Sequence, residues 1–278
     1  MNVSEIIKDS VRYPFSDWKK ILILGIIVLI STFPFIINRF TSISTAYVTL
    51  IWVLAIISFL SSFFIRGYCF SIVKSSISGS VELPEFNNWY EMFINGIKLF
   101  IIPIVYLIPV ILIILVYSAL LFISNPSTVI NILSGAVIWY FIGGTGLTAL
   151  SSWLGILFYI AILYVIIILP VTLISIANMA DNGSKLIKAF RFHEIIDKIY
   201  ELGLRNFIIW YIAIGMVFLI LTAVGSVIII FLLLLIKVSG IVTFSQTFII
   251  EDVLIALFLA PYLWMYFFRS SALFYRSE

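Results

Sequence analysis

The sequence predicts an all-α integral membrane protein: six transmembrane helices forming three helical hairpins, each preceded by an amphipathic interfacial elbow helix. Three observations carry that prediction. The 278 residues are 63% hydrophobic and only 10% charged. A soluble domain carries roughly 25% charged residues, so these charges are too few to cover a water-facing surface. Six apolar runs approach the ~20 residues that cross ~30 Å of hydrocarbon at ~1.5 Å per residue. The bases are confined almost entirely to alternate loops.

The six runs are Ile21–Ile37, Ala46–Ile65, Ile97–Ile123, Leu147–Asn178, Phe207–Ile236 and Asp252–Phe268. The first and last are short. Barrel strands would alternate apolar and polar residues over ~10 positions; these runs are apolar all round, which is helical. The first ~20 residues are polar or amphipathic and no small-residue cleavage site follows, so Ile21–Ile37 reads as a retained membrane helix.

Lys and Arg set the orientation. The segments before helix 1, between helices 2 and 3, between 4 and 5, and after helix 6 hold 14 of the 16 bases. Only Arg39 and Lys237 lie in the alternate loops. The positive-inside rule then puts both termini in the cytoplasm of a cell-membrane protein. The apolar segment Val129–Ile142 would break this pattern if it crossed, so it reads as external and interfacial or re-entrant. Val238–Glu251 is read the same way.

The whole chain, 1–278, reads as a single membrane domain with internal repeats at about 1–83, 84–185 and 186–278. "GIKLFII" at Gly96–Ile102 returns as "GLRNFII" at Gly203–Ile209. Ahead of the first phrase, Phe86, Trp89, Tyr90, Phe93, Ile94 and Ile97 share one helical face. Ahead of the second, Phe192, Ile195, Ile196, Ile199 and Tyr200 do so. A looser copy opens the chain with Val3, Ile6, Ile7 and Val11, then "RYPFSDWKK". Each amphipathic helix is expected to lie in the membrane plane. Gly96 and Gly203 are expected as elbow hinges where the chain turns and dives. Trp18, Lys19, Lys20, Trp89, Lys98 and Arg205 are expected as interface anchors, the aromatic rings at the lipid boundary and the long bases reaching headgroup phosphates.

"RYPFSDWKKILILG", "LPEFNNWYEMFINGIKLFII" and the closing "SALFYR" resemble the prokaryotic, largely archaeal, membrane proteins grouped as domain of unknown function 4013. That family is similar in style to membrane domains that accompany glycerophosphodiester phosphodiesterases. The resemblance implies a multi-pass membrane protein and supplies no catalytic residues.

Little in the sequence points to catalysis. Cys69 is the only cysteine and His193 the only histidine, so neither a disulfide within the chain nor a Cys/His metal site is expected. "GGTGLTA" at Gly143–Ala149 matches a dinucleotide fingerprint in letters, but no acid follows at the required ~20 residues. Glu251 and Asp252 are expected at the outer end of helix 6, where a helix N-terminus favours acids. Pro103 and Pro109, Pro170 and Pro261 should kink helices 3, 4 and 6. With Tyr106 and Tyr164 they outline a candidate cavity. The expected role is non-enzymatic: a membrane-organising or accessory scaffold that contacts lipid headgroups through its elbows, with membrane lipids and other membrane proteins as partners. No cofactor, metal or nucleic acid is expected. The alternative is a permease or lipid-handling protein using the cavity between helices 3, 4 and 6. An enzyme acting on headgroups would draw on Glu194, Asp197 and Glu201, whose spacing also fits a solvated helix face.

Overall fold

The computed structural model describes residues 2–38, 45–124, 153–238 and 244–277. The segment 129–142 and the glycine turn at 143–149 lie outside them. Among the described residues the elements are helical: α1 (Val3–Arg12), a 3-10 turn (Tyr13–Ser16), α2 (Trp18–Asn38), α3 (Thr45–Ile77), α4 (Trp89–Ser124) and α5 (Trp153–Asp181). A second 3-10 turn (Leu186–Phe190) leads to α6 (Phe192–Leu202), α7 (Leu204–Val238) and α8 (Phe244–Leu254). A π-helical turn (Ile255–Leu259) then joins α8 to α9 (Ala260–Arg276). Among the described residues, six spans are long and apolar enough to cross a membrane: Trp18–Ile37, Thr49–Ile77, Trp89–Val116, Tyr159–Asp181, Leu204–Val238 and Gln246–Arg276.

Two compact units are present, residues 1–101 with 173–278, and residues 102–172. In the first, α2 and α3 form an antiparallel pair and α9 packs on both α3 and α1. Trp210 of α7 stacks on Phe274 of α9 with centroids 4.5 Å apart. Its indole N–H donates to Ser270 Oγ at 3.1 Å. Tyr266 Oη donates to the Ile214 carbonyl at 3.2 Å. Each buried ring thus has its polar atom satisfied, as burial in a low-dielectric core requires.

Glycine lets two backbones touch in this unit. A Cβ on Gly96 would collide with the Phe63 carbonyl, and one on Gly67 would collide with the Met92 carbonyl. The contact is reciprocal, so α3 and α4 meet backbone to backbone, with small residues at a helix contact as membrane packing favours. This corrects Gly96 as an elbow hinge. It lies inside α4, which runs unbroken from Trp89. Residues 79–88 are irregular, so the second hairpin has no separate elbow helix; its amphipathic stretch forms the first turns of α4 itself. Gly203 is different: with φ +85 it lies between α6 and α7, in a region that residues with a Cβ avoid.

The sixth span also differs from expectation. Helix begins at Phe244, not Asp252. Residues 244–251 are therefore helical rather than an external interfacial segment, because Phe248, Ile249 and Ile250 extend the apolar run past Glu251 and Asp252. These acids sit ~10 and ~12 Å along the helix at ~1.5 Å per residue, beyond its first turn. Glu251 shares a cleft of about 190 Å³ with Lys237 of α7. Pro261 acts through the π turn. It cannot donate to the Leu257 carbonyl four residues back, the Ala260 N–H bonds to Ile255 instead, and the Leu257 carbonyl packs against Gly25 of α2.

In the second unit, Tyr164 Oη donates to the Tyr106 carbonyl at 2.9 Å. Pro109, inside α4, leaves the Val105 carbonyl four residues back without its helical donor; the Tyr164 hydroxyl is engaged with the neighbouring Tyr106 carbonyl. Pro103, Tyr106, Pro109, Tyr164 and Pro170 belong to this unit, whereas Pro261 is buried in the first.

Candidate functional site

The polar chemistry of the first unit gathers where α1, the end of α3, the 79–88 segment and α9 meet. Four side chains donate to carbonyls of one short stretch. Arg269 Nη1 reaches Ser80 O at 2.7 Å, and Tyr13 Oη reaches Glu82 O at 3.2 Å. Lys20 Nζ reaches Leu83 O at 2.7 Å, and Tyr68 Oη reaches Pro84 O at 3.1 Å. The stretch has no helical ladder of its own, so these donors satisfy it from outside. Phe86 stacks on Tyr68 at 4.0 Å and closes the far side.

Arg269 is the centre of this arrangement and only 3% exposed. Its Nε donates to Asp9 Oδ1 at 2.9 Å, and its Nη1 also donates to Ser76 Oγ at 2.9 Å. The guanidinium lies 4.4 Å above the Tyr13 ring. A planar fork with five donors suits several partners at once. Burial raises the Tyr13 phenol above its usual range, and Arg269 only partly opposes that shift.

A second cluster ties α5, α6 and the end of α9. Tyr275 Oη donates to Asn178 Oδ1 at 3.1 Å, and Asn178 Nδ2 donates to Lys188 O at 2.9 Å. Glu194 accepts from Arg191 at 2.6 Å and from Lys188 at 3.1 Å. These two bases, Arg191 first, hold its carboxyl down at about 2. Lys98 Nζ donates to Asn95 Oδ1 at 3.1 Å and to Ser184 O at 2.9 Å, closing the turn after α5.

The expected anchors separate on this map. Trp18 and Trp89 are 55% and 46% exposed, and Lys19 and Arg205 are exposed. Lys20 is not a headgroup anchor: it is 9% exposed and lies 2.6 Å from Glu85. Lys98 likewise turns inward, to a carbonyl rather than to solvent. The reason is common to both: a long stem brings the ammonium to unsatisfied backbone carbonyls, which compete with phosphate. Arg269, Tyr13, Tyr68 and Asn178 were not singled out from sequence. The available signal was a polar residue inside an otherwise apolar run, as Asn178 is in α5 and Arg269-Ser270-Ser271 in α9.

No group of three or more His, Cys, Asp or Glu placed to hold a metal occurs among the described residues. The arrangement is a set of braces between helices. Residues 50–234, two thirds of the chain, match the family described as "Protein of unknown function (DUF4013)". The chain belongs to this family. Searches of curated proteins and of solved structures gave no match. The DUF4013 match runs from α3 into α7, so it includes the Asn178–Glu194 cluster. Asp9, Tyr13 and Arg269 lie outside it.

Proposed function

We propose that this DUF4013 protein is a non-catalytic, membrane-organising accessory protein of the cell membrane, with both termini cytoplasmic and its amphipathic helices against lipid headgroups. The observation that carries the reading is the two-sided surface of α6. Ile195, Ile199 and Leu202 are buried. Phe192, Ile196 and Tyr200 recur every fourth residue on the outside, 46–69% exposed. Exposed Leu204, Ile208 and Ile209 continue this apolar surface into α7, with exposed Arg205 beside it. Sequence periodicity put the α6 apolar residues on one face; packing divides them between protein and surroundings. An apolar stripe beside a base fits the boundary of an anionic bilayer.

The non-catalytic part is supported by the three acids an enzyme would draw on. Glu194 pairs with Arg191 and Lys188. His193 lies 3.4 Å from Asp197, and Lys198 lies 3.1 Å from Glu201.

The test is lipid mass spectrometry on protein purified in mild detergent. Arg205→Glu with Ile196→Asp should lower co-purified anionic lipid severalfold. Unchanged lipid content in a folded variant would remove the headgroup role. Terminal tags reporting from the external side would overturn the orientation.

A further inference from the structure

α3 changes its surroundings part-way along. Trp52, Val53, Ile56, Ile57, Phe59 and Leu60 are 44–67% exposed, whereas Tyr68, Cys69, Phe70, Ile72 and Val73 are fully buried. In a membrane helix the first half is solvated by hydrocarbon and the second by protein. Arg66 stands at the switch and is half-buried. Phe100 of α4 lies against it. Lys98, two residues before Phe100, reaches the Ser184 carbonyl in the turn after α5. The base-rich end of the apolar region is therefore close to this level.

The Arg66 guanidinium is held in place but not neutralised. Nη1 donates to the Ser62 carbonyl at 3.0 Å, one turn back. Its charge centre lies 5.2 Å from the centroid of the Phe100 ring. That ring is set by edge-on contacts with Phe59 at 5.9 Å and Phe63 at 5.5 Å. Helical side chains tilt toward the N-terminus, so Arg66 points along the lipid-facing half of α3. Lys74 in the same helix has Glu91 at 3.1 Å. Arg66 has no acidic partner among the described residues, and its Nε and Nη2 donate to none of them. An uncompensated cation at the edge of hydrocarbon is costly. A planar fork with donors to spare matches a phosphate.

The surface beside this base has the shape of the rest of a lipid. Phe59, Ile56 and Trp52 precede Arg66 by 7, 10 and 14 residues, on the same side of the helix, and are 52–67% exposed. From Arg66 to Trp52 is ~21 Å of helix, enough for the ~15 Å of hydrocarbon in one leaflet. Phe100 touches both Arg66 and Phe59, so base and stripe form one continuous surface. We propose that this face binds one phospholipid, with its phosphate on the Arg66 guanidinium and an acyl chain along Phe59, Ile56 and Trp52. The proposal rests on the lipid-contact reading above but concerns a surface separate from α6.

Native mass spectrometry of the detergent-purified, delipidated full chain tests it, with dioleoyl phosphatidylglycerol and dioleoylglycerol as probes. The two share their chains and differ by the phosphate. Wild type should retain one phosphatidylglycerol about tenfold better than dioleoylglycerol, the effect of charge-assisted contacts. Arg66→Gln should bring phosphatidylglycerol down to the dioleoylglycerol level and leave the latter unchanged, which also reports that the variant is folded. Should Arg66→Gln fail to fold, Arg66→Lys decides: its ammonium lacks the fork, so retention should fall about threefold, and retention equal to wild type overturns the clamp. Ile56→Ser with Trp52→Ser should weaken both lipids about fivefold. Equal retention of the two lipids by wild type, or unchanged phosphatidylglycerol retention in folded Arg66→Gln, overturns the proposal. So does a dimer cross-linked through Ile56→Cys, which would make a second copy the occupant. Arg205→Glu with Ile196→Asp separates the two readings. If that variant keeps its bulk anionic lipid while Arg66→Gln loses the single bound lipid, the α6 role fails and the Arg66 site stands; the reverse pattern sinks the Arg66 site alone.

Discussion

Arg269 Nε donates to Asp9 Oδ1 at 2.9 Å, joining the last helix to the first. This ion pair holds the two ends of the chain on the same side of the first unit. Arg269→Met should destabilise the protein by about 3 kcal/mol, because it removes a buried charge and leaves the Ser80 carbonyl and Asp9 without their donor. Arg269→Lys should recover only part of the loss, since an ammonium does not reproduce the fork. Thermal unfolding in detergent, read by intrinsic fluorescence, measures both. A midpoint unchanged in Arg269→Met would refute the brace.

Lys19 and Lys20 are neighbours with opposite surroundings. Lys20→Gln loses the pair to Glu85 and its charged donation to Leu83, a cost of about 2 kcal/mol. Lys19→Gln should stay within about 0.5 kcal/mol. The same unfolding assay should order them clearly; equal effects would mean that Lys20 is not engaged.

Gly96 and Gly203 were written in the same phrase but do different work. Gly96→Ala forces α3 and α4 apart and should cost about 2 kcal/mol, as overpacking does. Gly203→Ala meets only open space and Asn206 beyond 3.4 Å. Its cost is backbone strain at positive φ, about 1–2 kcal/mol. Cysteine cross-linking between α3 and α4 gives a second readout: Gly96→Ala should slow it and Gly203→Ala should not.

Glu194 makes stability depend on acid. Its folded carboxyl titrates near about 2, below the ordinary 4.5. A depressed carboxyl contributes stability that is fully present above the unfolded value and is lost as pH falls through the folded one. The melting difference between wild type and Glu194→Gln should therefore be constant above about pH 5 and narrow between 4.5 and 2. A gap that widens on acidification would contradict the pairing with Arg191 and Lys188.

Tyr164→Phe removes the donor to the Tyr106 carbonyl. A hydrogen bond between membrane helices contributes about 0.6 kcal/mol on average, with a maximum near 1.7, and a loss in that range is expected in steric-trap unfolding. An unaffected protein would mean that the hydroxyl faces a hydrated cavity instead, which would favour the permease reading.

Hydropathy and length made most of the fold legible, because solvation by hydrocarbon acts on each segment separately. Leu147–Asn178 and Phe207–Ile236 read as helical runs without reference to any neighbour. The start of the sixth helix at Phe244 is hidden in the sequence because Glu251 and Asp252 read as a boundary, although apolar residues lie on both sides. The braces were hidden for another reason. Nothing local distinguishes Lys20 from Lys19, or marks which of the scattered bases will meet the carbonyls at 80–84. Likewise, periodicity groups Ile195 with Ile196, but it does not say which will be covered.

By itself, the sequence determined that this chain is helical, has six runs that approach the length and apolar composition needed to cross hydrocarbon, and gathers its bases at alternate ends of those runs. Those properties follow from transfer free energies that add residue by residue along one segment. Only the tertiary structure decided that Gly96 is a point of backbone contact, that Lys20 and Lys98 turn inward, and that Arg269 joins the two ends. Each depends on an unsatisfied carbonyl or a close backbone supplied by a distant part of the chain, and such pairings arise only when the helices pack.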